Sequence, residues 1–166
     1  MDLSYSPAAE AYRAKVREFL AANLPADWQG LGALAGDEAE EWANNWRDVM
    51  ADNGFLGITW PKEYGGQGLT KLEQVVLGEE LAKHRVPQYR AVDTTNIKML
   101  GNTLVKWGTE EQKRTYLPRI LSGEDTWVQG YSEPEAGSDL ASVHLKAELD
   151  GDEWVLNGQK IWTSRG

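Results

Sequence analysis

The first 125 residues carry apolar positions at the three- and four-residue spacing of helices that bury one face. A capping hydroxyl at Ser6 and a following proline, Pro7, predict the start of the first helix. Leu24 precedes Pro25, and this pair predicts where that helix ends. A second helix is predicted from about Asp37 to Asn53. Three large apolar residues recur on one of its faces: Trp42, Trp46 and Met50.

Further helices are predicted in the same region. Thr70 and Glu73 have the spacing of a capping box, in which a hydroxyl and a carboxylate satisfy the first backbone donors of a helix. Another helix is predicted over residues 94–107. A second cap at Thr109 opens the last helix, which Pro118 either bends or ends.

Segment 58–68 lies between the second and third predicted helices and contains one proline and three glycines. Glycine allows the positive φ values that a folded-back path requires. This favours an ordered loop, although composition alone leaves a simple connector equally open.

The apolar period changes from about 3.6 to 2 after Gly123, which predicts strands in place of helices. Strands are predicted over residues 126–131, 143–149, 153–156 and 159–164, and the alternation in 143–149 is typical of a half-buried strand. Turns are predicted at Asp150-Gly151 and at Asn157-Gly158. An unpaired final strand would be an aggregation liability, so we expect further strands or another chain to cover it.

The predicted fold class is therefore α+β with segregated regions. Residues 1–125 are predicted to form an N-terminal all-α helical domain, and residues 126–166 the first strands of a small β-domain that is incomplete here. Eight tryptophans are unusual for 166 residues. Because aromatic side chains bury large areas, we predict that four of them are packing anchors: Trp28, Trp42, Trp46 and Trp107.

Charge and composition exclude several kinds of function. A net charge of −9 argues against broad contact with nucleic acid. The chain has no cysteine and only His84 and His144, so disulfides, thiolate chemistry and a histidine-built metal site are not expected. No apolar run approaches the roughly 20 residues of a membrane span, and the N-terminus lacks a signal-peptide core. The expected location is the cytoplasm.

Several segments, in order along the chain, resemble the acyl-CoA dehydrogenase family. They are WPKEYGGQG at 60–68, GTEEQKRTYLP at 108–118, YSEPEAGSD at 131–139 and LNGQKIWTS at 156–164. Each motif is moderately specific, but together they span nearly the whole chain. The resemblance implies a helical domain, then a β-domain, and a C-terminal helical bundle that is absent from this chain.

The resemblance also implies the chemistry. The family binds FAD and desaturates acyl-CoA thioesters, removing a proton at Cα while a hydride leaves Cβ for the flavin. Its electrons pass to an electron-transfer flavoprotein or a similar acceptor, and its members form homo- or hetero-oligomers. The motifs are similar to those of a bacterial branch that acts on bulky, branched or sterol-derived thioesters in lipid catabolism.

The resemblance assigns cofactor contacts to three short segments. The first contributes Gln129, Tyr131 and Ser132. The second contributes Gly137 and Ser138, of which Ser138 also meets the thioester arm of the substrate. The third contributes Trp162, Thr163 and Ser164. Ser132 and Thr163-Ser164 depart from the commoner family pattern, although both exchanges keep a hydroxyl. Hydrogen bonds of this kind at the ring edge favour the reduced flavin.

The loop carboxylates Glu133, Glu135 and Asp139 could be proposed as a general-base cluster. We interpret them as cap and turn carboxylates, because the family's base is a Glu expected beyond Gly166. This chain alone is then expected to be inactive and to hold FAD weakly. The alternatives are a non-catalytic subunit of a heteromeric flavoprotein and an acyl-CoA oxidase-like relative that uses oxygen.

Overall fold

A computed structural model of the chain describes residues 5–163, except for the side chain of Ala91. The chain divides into two compact units, Met1–Thr126 and Trp127–Gly166. Helices make up the first unit and a small antiparallel hairpin lies in the second. The predicted α+β class with segregated regions is confirmed. Within the described part, no helix combines the length and apolar character needed to traverse a bilayer.

The helices of the first unit begin and end close to the predicted positions. In chain order they are α1 Pro7–Asn23, α2 Asp37–Asp52, α3 Lys71–Lys83, α4 Ala91–Asp93, α5 Asn102–Trp107 and α6 Glu110–Ser122. The amide of Ala9 donates to Ser6 Oγ at 3.2 Å, as expected of an N-cap. Both capping boxes form, at Thr70 and at Thr109. Pro118 does not end α6, which continues to Ser122 and stops at Gly123, where φ is +83°.

The helix predicted over 94–107 differs most from expectation. The observed helix starts earlier, with α4, and a π-helical segment, Thr94–Gly101, joins α4 to α5. The side chain of Trp60 packs against Gly101, and its indole N–H donates to Asn102 Oδ1 at 3.0 Å. Turns of π type inside α-helices are frequent at functional sites.

The glycine-rich segment 58–68 is an ordered loop. A 3₁₀ turn, Lys62–Tyr64, ends at Gly65 in the left-handed conformation. The amides of Gly68 and Leu69 return to the carbonyls of Trp60 and Ile58, each at 2.9 Å. These bonds fix the loop around the buried indole of Trp60.

Three of the four predicted tryptophan anchors pack as expected. Trp46 is buried, and Trp42 and Trp28 stack outward from it with ring centroids 5.4 and 4.1 Å apart. The prediction for Trp107 is wrong, because its side chain is 75% exposed at the end of α5. The Lys106 ammonium covers its ring at 5.0 Å, an arrangement suited to a solvent-facing indole.

Two ion-pair clusters among these helices are each built around a buried carboxylate, Glu80 or Asp93. Glu80 of α3 accepts hydrogen bonds from Arg13 and Arg17 of α1 at 2.8 and 2.9 Å. Arg47 of α2 lies 3.4 Å from the Asp93 carboxylate and donates to the Ile120 carbonyl in α6 at 2.9 Å. Each cluster ties together elements distant in sequence.

The hairpin of the second unit pairs β1 Lys146–Asp150 with β2 Glu153–Asn157. Its register runs from Lys146 opposite Asn157 to Asp150 opposite Glu153, so the predicted turn after Asp150 is confirmed. Both strands are exposed along their length, so the prediction of a half-buried strand over 143–149 is wrong. One face gathers the apolar residues Ala147, Leu149, Trp154 and Leu156.

Two other predicted strands are also wrong within the described residues. Within residues 5–163, segments 126–131 and 159–163 belong to no β-ladder. A strand needs a row of paired backbone groups, and the backbone bond seen at this place joins Ile161 N to the carbonyl of Ser132, the residue after the first segment. For the same reason Asn157-Gly158 ends β2 without opening a second hairpin.

Candidate functional site

The structure brings together two of the three segments predicted to contact the cofactor. The amide of Ile161 donates to the carbonyl of Ser132 at 2.9 Å. A Cβ placed on Gly130 would lie 3.7 Å from Lys160 Cβ and 4.0 Å from Thr163 Oγ1. The stretches 130–132 and 160–163 are therefore in contact, although 28 or more residues separate them in sequence.

Trp162 has the most unusual conformation in this cluster. Its φ is +58°, in the left-handed region that non-glycine residues seldom adopt. Its indole is 85% exposed, so burial of the ring does not offset the backbone strain. Strained residues of this kind are concentrated at functional sites.

The neighbouring side chains can stack and can exchange hydrogen bonds. Tyr131 is 62% exposed and Gln129 is also exposed, whereas Ser132 and Thr163 are half-buried. Hydroxyl and amide groups both donate and accept. The cluster thus offers two open aromatic rings beside a set of short polar side chains. Ser164, predicted to belong to it, lies outside the described residues.

Glu133 is the buried charge at the centre of this cluster. Its carboxylate accepts from the amides of His144 and Leu145 at 2.6 and 2.9 Å and from Lys160 Nζ at 2.9 Å. The Lys160 ammonium and the two amides lower the pKa of Glu133 to about 2. A carboxylate with so low a pKa is a poor proton acceptor near neutral pH, which supports its interpretation as a structural carboxylate.

Gly137 and Ser138 lie in the turn that follows Glu133. Glu133 and Ala136 form a two-residue bridge, with Glu133 N to Ala136 O at 2.9 Å and Ala136 N to Glu133 O at 3.1 Å. Ser138 is exposed and its carbonyl accepts from the amide of Leu140 at 3.2 Å. Within residues 5–163, neither Gly137 nor Ser138 takes part in the bonds that join the other two segments.

The carboxylate of Asp139 acts in the same turn. It accepts a hydrogen bond from the hydroxyl of Ser142, within the 3₁₀ turn Leu140–Ser142. Glu135 is exposed. These positions agree with turn carboxylates and do not gather the three acids around one reacting atom.

Sequence reasoning missed the part played by Lys160. Its ammonium donates to both Glu133 and the Tyr131 carbonyl, each at 2.9 Å. A lysine in a predicted strand looks like an ordinary solvent-facing residue. Its partners lie 27 and 29 positions earlier, beyond the reach of local periodicity.

Residues 6–124 match the family model for the acyl-CoA dehydrogenase N-terminal domain. Because this match covers most of the sequence, the chain belongs to the acyl-CoA dehydrogenase family. It is 46% identical over 159 residues to acyl-CoA dehydrogenase IpdE1 of Mycobacterium tuberculosis, an alignment that covers 93% of this chain and 41% of the relative. The resemblance deduced from the motifs is confirmed.

Solved structures with a similar fold agree with this family assignment. The Tcur3481-Tcur3483 steroid ACAD superposes with a TM-score of 0.69 at 42% identity, covering 99% of this chain and 41% of that one. A glutaryl-CoA dehydrogenase from Mycobacterium smegmatis, solved in complex with FADH2, gives 0.64 at 25% identity and covers 96% and 39%. The chain thus spans about two fifths of the length of these relatives.

Proposed function

We propose that the full-length protein is an FAD-dependent acyl-CoA dehydrogenase and that residues 129–163 supply one side of its flavin site. The observation that carries this proposal is the strained, exposed indole of Trp162 beside the contact between Ser132 and Ile161. Family membership supports it, as does the FADH2 complex of a related dehydrogenase.

The residues present fit such a cofactor chemically. A flavin ring is flat and apolar on its faces, and its edge carries carbonyl oxygens and ring nitrogens. The open rings of Trp162 and Tyr131 suit the faces, and the hydroxyls of Ser132 and Thr163 suit the edge. Gln129, Gly137 and Ser138 complete the proposed contacts, and Ser138 also serves the thioester.

When bound, FAD would accept the hydride that leaves the β-carbon of the acyl group. The residues of this chain would hold and orient the ring, and the indole of Trp162 would exclude water from its flank. Glu133 is not assigned the proton transfer, because three donors hold it ionised. We propose that the base lies outside residues 1–166.

For the substrate we propose a bulky, branched or sterol-derived acyl-CoA. The support is similarity to a structure described as a steroid ACAD, at 42% identity. That structure is described by a double name, Tcur3481-Tcur3483, which favours an assembly with a second, related chain. An electron-transfer flavoprotein is the proposed acceptor. The mass of the purified complex, with and without a co-expressed partner, tests the assembly.

FAD binding tests the proposed function directly. The full-length protein is titrated with FAD and followed by flavin fluorescence and visible absorbance, alongside Trp162→Ala and Trp154→Ala. Trp154 is another exposed indole, 65% open on the hairpin, and serves as the matched control. We expect Trp162→Ala alone to weaken binding, by about tenfold for the loss of an aromatic contact.

A panel of acyl-CoA thioesters then tests the reaction. Anaerobic bleaching of the flavin band by a branched or steroid thioester supports the substrate class, and bleaching by short linear chains alone contradicts it. Full-length protein that binds no FAD overturns the proposal. Rapid reoxidation of the reduced protein by oxygen would identify an oxidase in place of a dehydrogenase.

A further inference from the structure

We propose that Glu133 and Lys160 are positioning residues that hold the two flavin-contact segments in place before the cofactor binds. This inference rests on the proposed function and adds to it two residues outside the proposed flavin and substrate contacts. Together they form a clip, which consists of the Glu133–Lys160 ion pair and the backbone groups bonded to it.

The first part of the clip is the Glu133 carboxylate. It is 6% exposed and binds three donors from two separate segments: the amides of His144 and Leu145, and Lys160 Nζ. Charged hydrogen bonds of this kind are about twice as strong as neutral ones. The carboxylate therefore fastens the chain entering β1 to the chain leaving β2.

The second part is the Lys160 ammonium, whose side chain is about three quarters buried. Besides Glu133 it binds the carbonyl of Tyr131 at 2.9 Å. One residue further, the amide of Ile161 binds the carbonyl of Ser132. Tyr131 and Ser132 are thereby anchored to the residues that immediately precede Trp162.

The clip takes the place of strand pairing. Within residues 5–163, neither 126–131 nor 159–163 belongs to a β-ladder, so a row of backbone bonds does not set their relative position. The left-handed Trp162 also needs its neighbours held, because a free chain would relax to a less strained φ. An anchored residue 160 and a bonded amide at 161 provide that restraint.

The clip predicts a specific loss when either partner is replaced. Without it, the two segments must be ordered by the cofactor itself, and that ordering reduces affinity. Outer-shell residues that orient metal ligands commonly change metal affinity by about 10- to 100-fold when replaced, and we take the lower end of that range for a residue that orients flavin contacts. We expect Lys160→Met and Glu133→Gln each to weaken FAD binding by at least about tenfold.

The experiment uses full-length protein and two readouts. Hydrogen exchange of the FAD-free protein reports the amides of His144, Leu145 and Ile161, and FAD titration reports affinity and the shape of the visible flavin band. Lys146→Met, at an exposed lysine of β1, is the matched control. Lys160→Arg, which keeps a long cationic donor, is expected to restore much of the affinity that Lys160→Met loses.

The outcomes separate this inference from the proposed function. Faster exchange at those amides together with weakened FAD binding and a shifted flavin band in both variants supports the clip. Wild-type affinity, band shape and exchange in Lys160→Met and Glu133→Gln would overturn it while leaving the FAD proposal intact. If wild-type protein binds no FAD, the proposed function fails and the inference fails with it, whatever the exchange shows.

A second variant at Glu133 keeps the test valid if Glu133→Gln does not fold. Glu133→Asp keeps the charge but withdraws the carboxylate by one methylene, and it replaces Glu133→Gln if the latter is unfolded. Weaker FAD binding with an altered flavin band in Glu133→Asp supports the clip. An unchanged Kd and band in that variant count against it.

Discussion

Gly101 lies against the indole of Trp60 with no room for a side chain. A Cβ at this position would overlap the ring carbons Cζ2 and Cη2 of Trp60 and would lie 3.2 Å from the carbonyl oxygen of Asn96. The indole is itself held by its hydrogen bond to Asn102 and by the loop around it. The π-helical segment and the glycine-rich loop are thus fitted to one another at this contact.

This contact predicts that Gly101→Ala destabilises the protein by about 1–3 kcal/mol, because a buried ring must move. Gly78→Ala is the matched control, since Gly78 lies inside α3 with open space around its Cα. There alanine should stabilise by about 0.5–1 kcal/mol through helix propensity. Urea denaturation of both variants measures the difference, and equal effects would contradict the tight contact.

The Glu80 cluster predicts a dependence of stability on pH. Hydrogen bonds from Arg17, and then from Lys83 and Arg13, lower the pKa of Glu80 from its ordinary 4.5 to about 2, although burial opposes the shift. Since the folded pKa lies below the unfolded one, the stabilisation is complete above about pH 4.5 and is lost as the pH falls towards 2.

The variant Glu80→Gln measures that contribution. Near neutral pH it should destabilise by about 2 kcal/mol, less than the roughly 3–5 kcal/mol of fully enclosed pairs, because Arg17 and Lys83 reach solvent. The gap between wild type and variant should close as the pH falls from about 5 to 2. Glu10→Gln, whose carboxylate is half exposed, should cost under about 1 kcal/mol at any pH. A gap that stays constant with pH would refute this account.

The Arg47–Asp93 pair predicts a strong coupling. Arg47→Met leaves a buried carboxylate without one of its cations and should destabilise by about 3–5 kcal/mol. Asp93→Asn removes the buried anion beside Arg47, whose remaining partners are the Asp48 carboxylate at 3.8 Å and the Ile120 carbonyl. The double variant should be less destabilised than the sum by about 1–3 kcal/mol, and thermal unfolding of all four proteins gives that energy. Strict additivity would show that the two groups do not interact.

The strain at Trp162 predicts a conflict between stability and binding. Asparagine adopts the left-handed region more readily than tryptophan, so Trp162→Asn should raise the unfolding free energy by about 1 kcal/mol. The same change should weaken FAD binding. Trp154→Asn, in a strand, should instead destabilise slightly and leave the FAD Kd unchanged. Increased stability in both variants, or in neither, would argue against stored strain.

Helix ends were predictable because caps are local. Each cap lies within three residues of the backbone amide that it binds, and the expected bond forms at Ser6, Thr70 and Thr109. The π-helical segment was not predictable, because it accompanies the packing of Gly101 on Trp60 from a distant loop. The exposure of Trp107 was missed for a related reason, since apolarity alone does not tell which face of a helix meets a partner.

The candidate site was likewise predictable only in part from the sequence. Its aromatic and hydroxyl residues could be proposed from motifs within single segments. The Glu133–Lys160 pair could not, because an ion pair across 27 residues leaves no periodic trace. Within the described residues, strands 126–131 and 159–163 were over-predicted, since alternation reports a preference for extended chain and not the presence of a partner to bond with.

The stack of Trp28, Trp42 and Trp46 has a practical consequence for spectroscopy. Near-parallel indoles at 4.1 and 5.4 Å couple their electronic transitions and add an exciton couplet to the far-ultraviolet circular dichroism. Helix content read from that spectrum will therefore be biased until the couplet is subtracted. The contribution of the Trp28–Trp42 pair is lost when α2 separates from the preceding loop, whereas that of Trp42 and Trp46, both on α2, remains as long as the helix does.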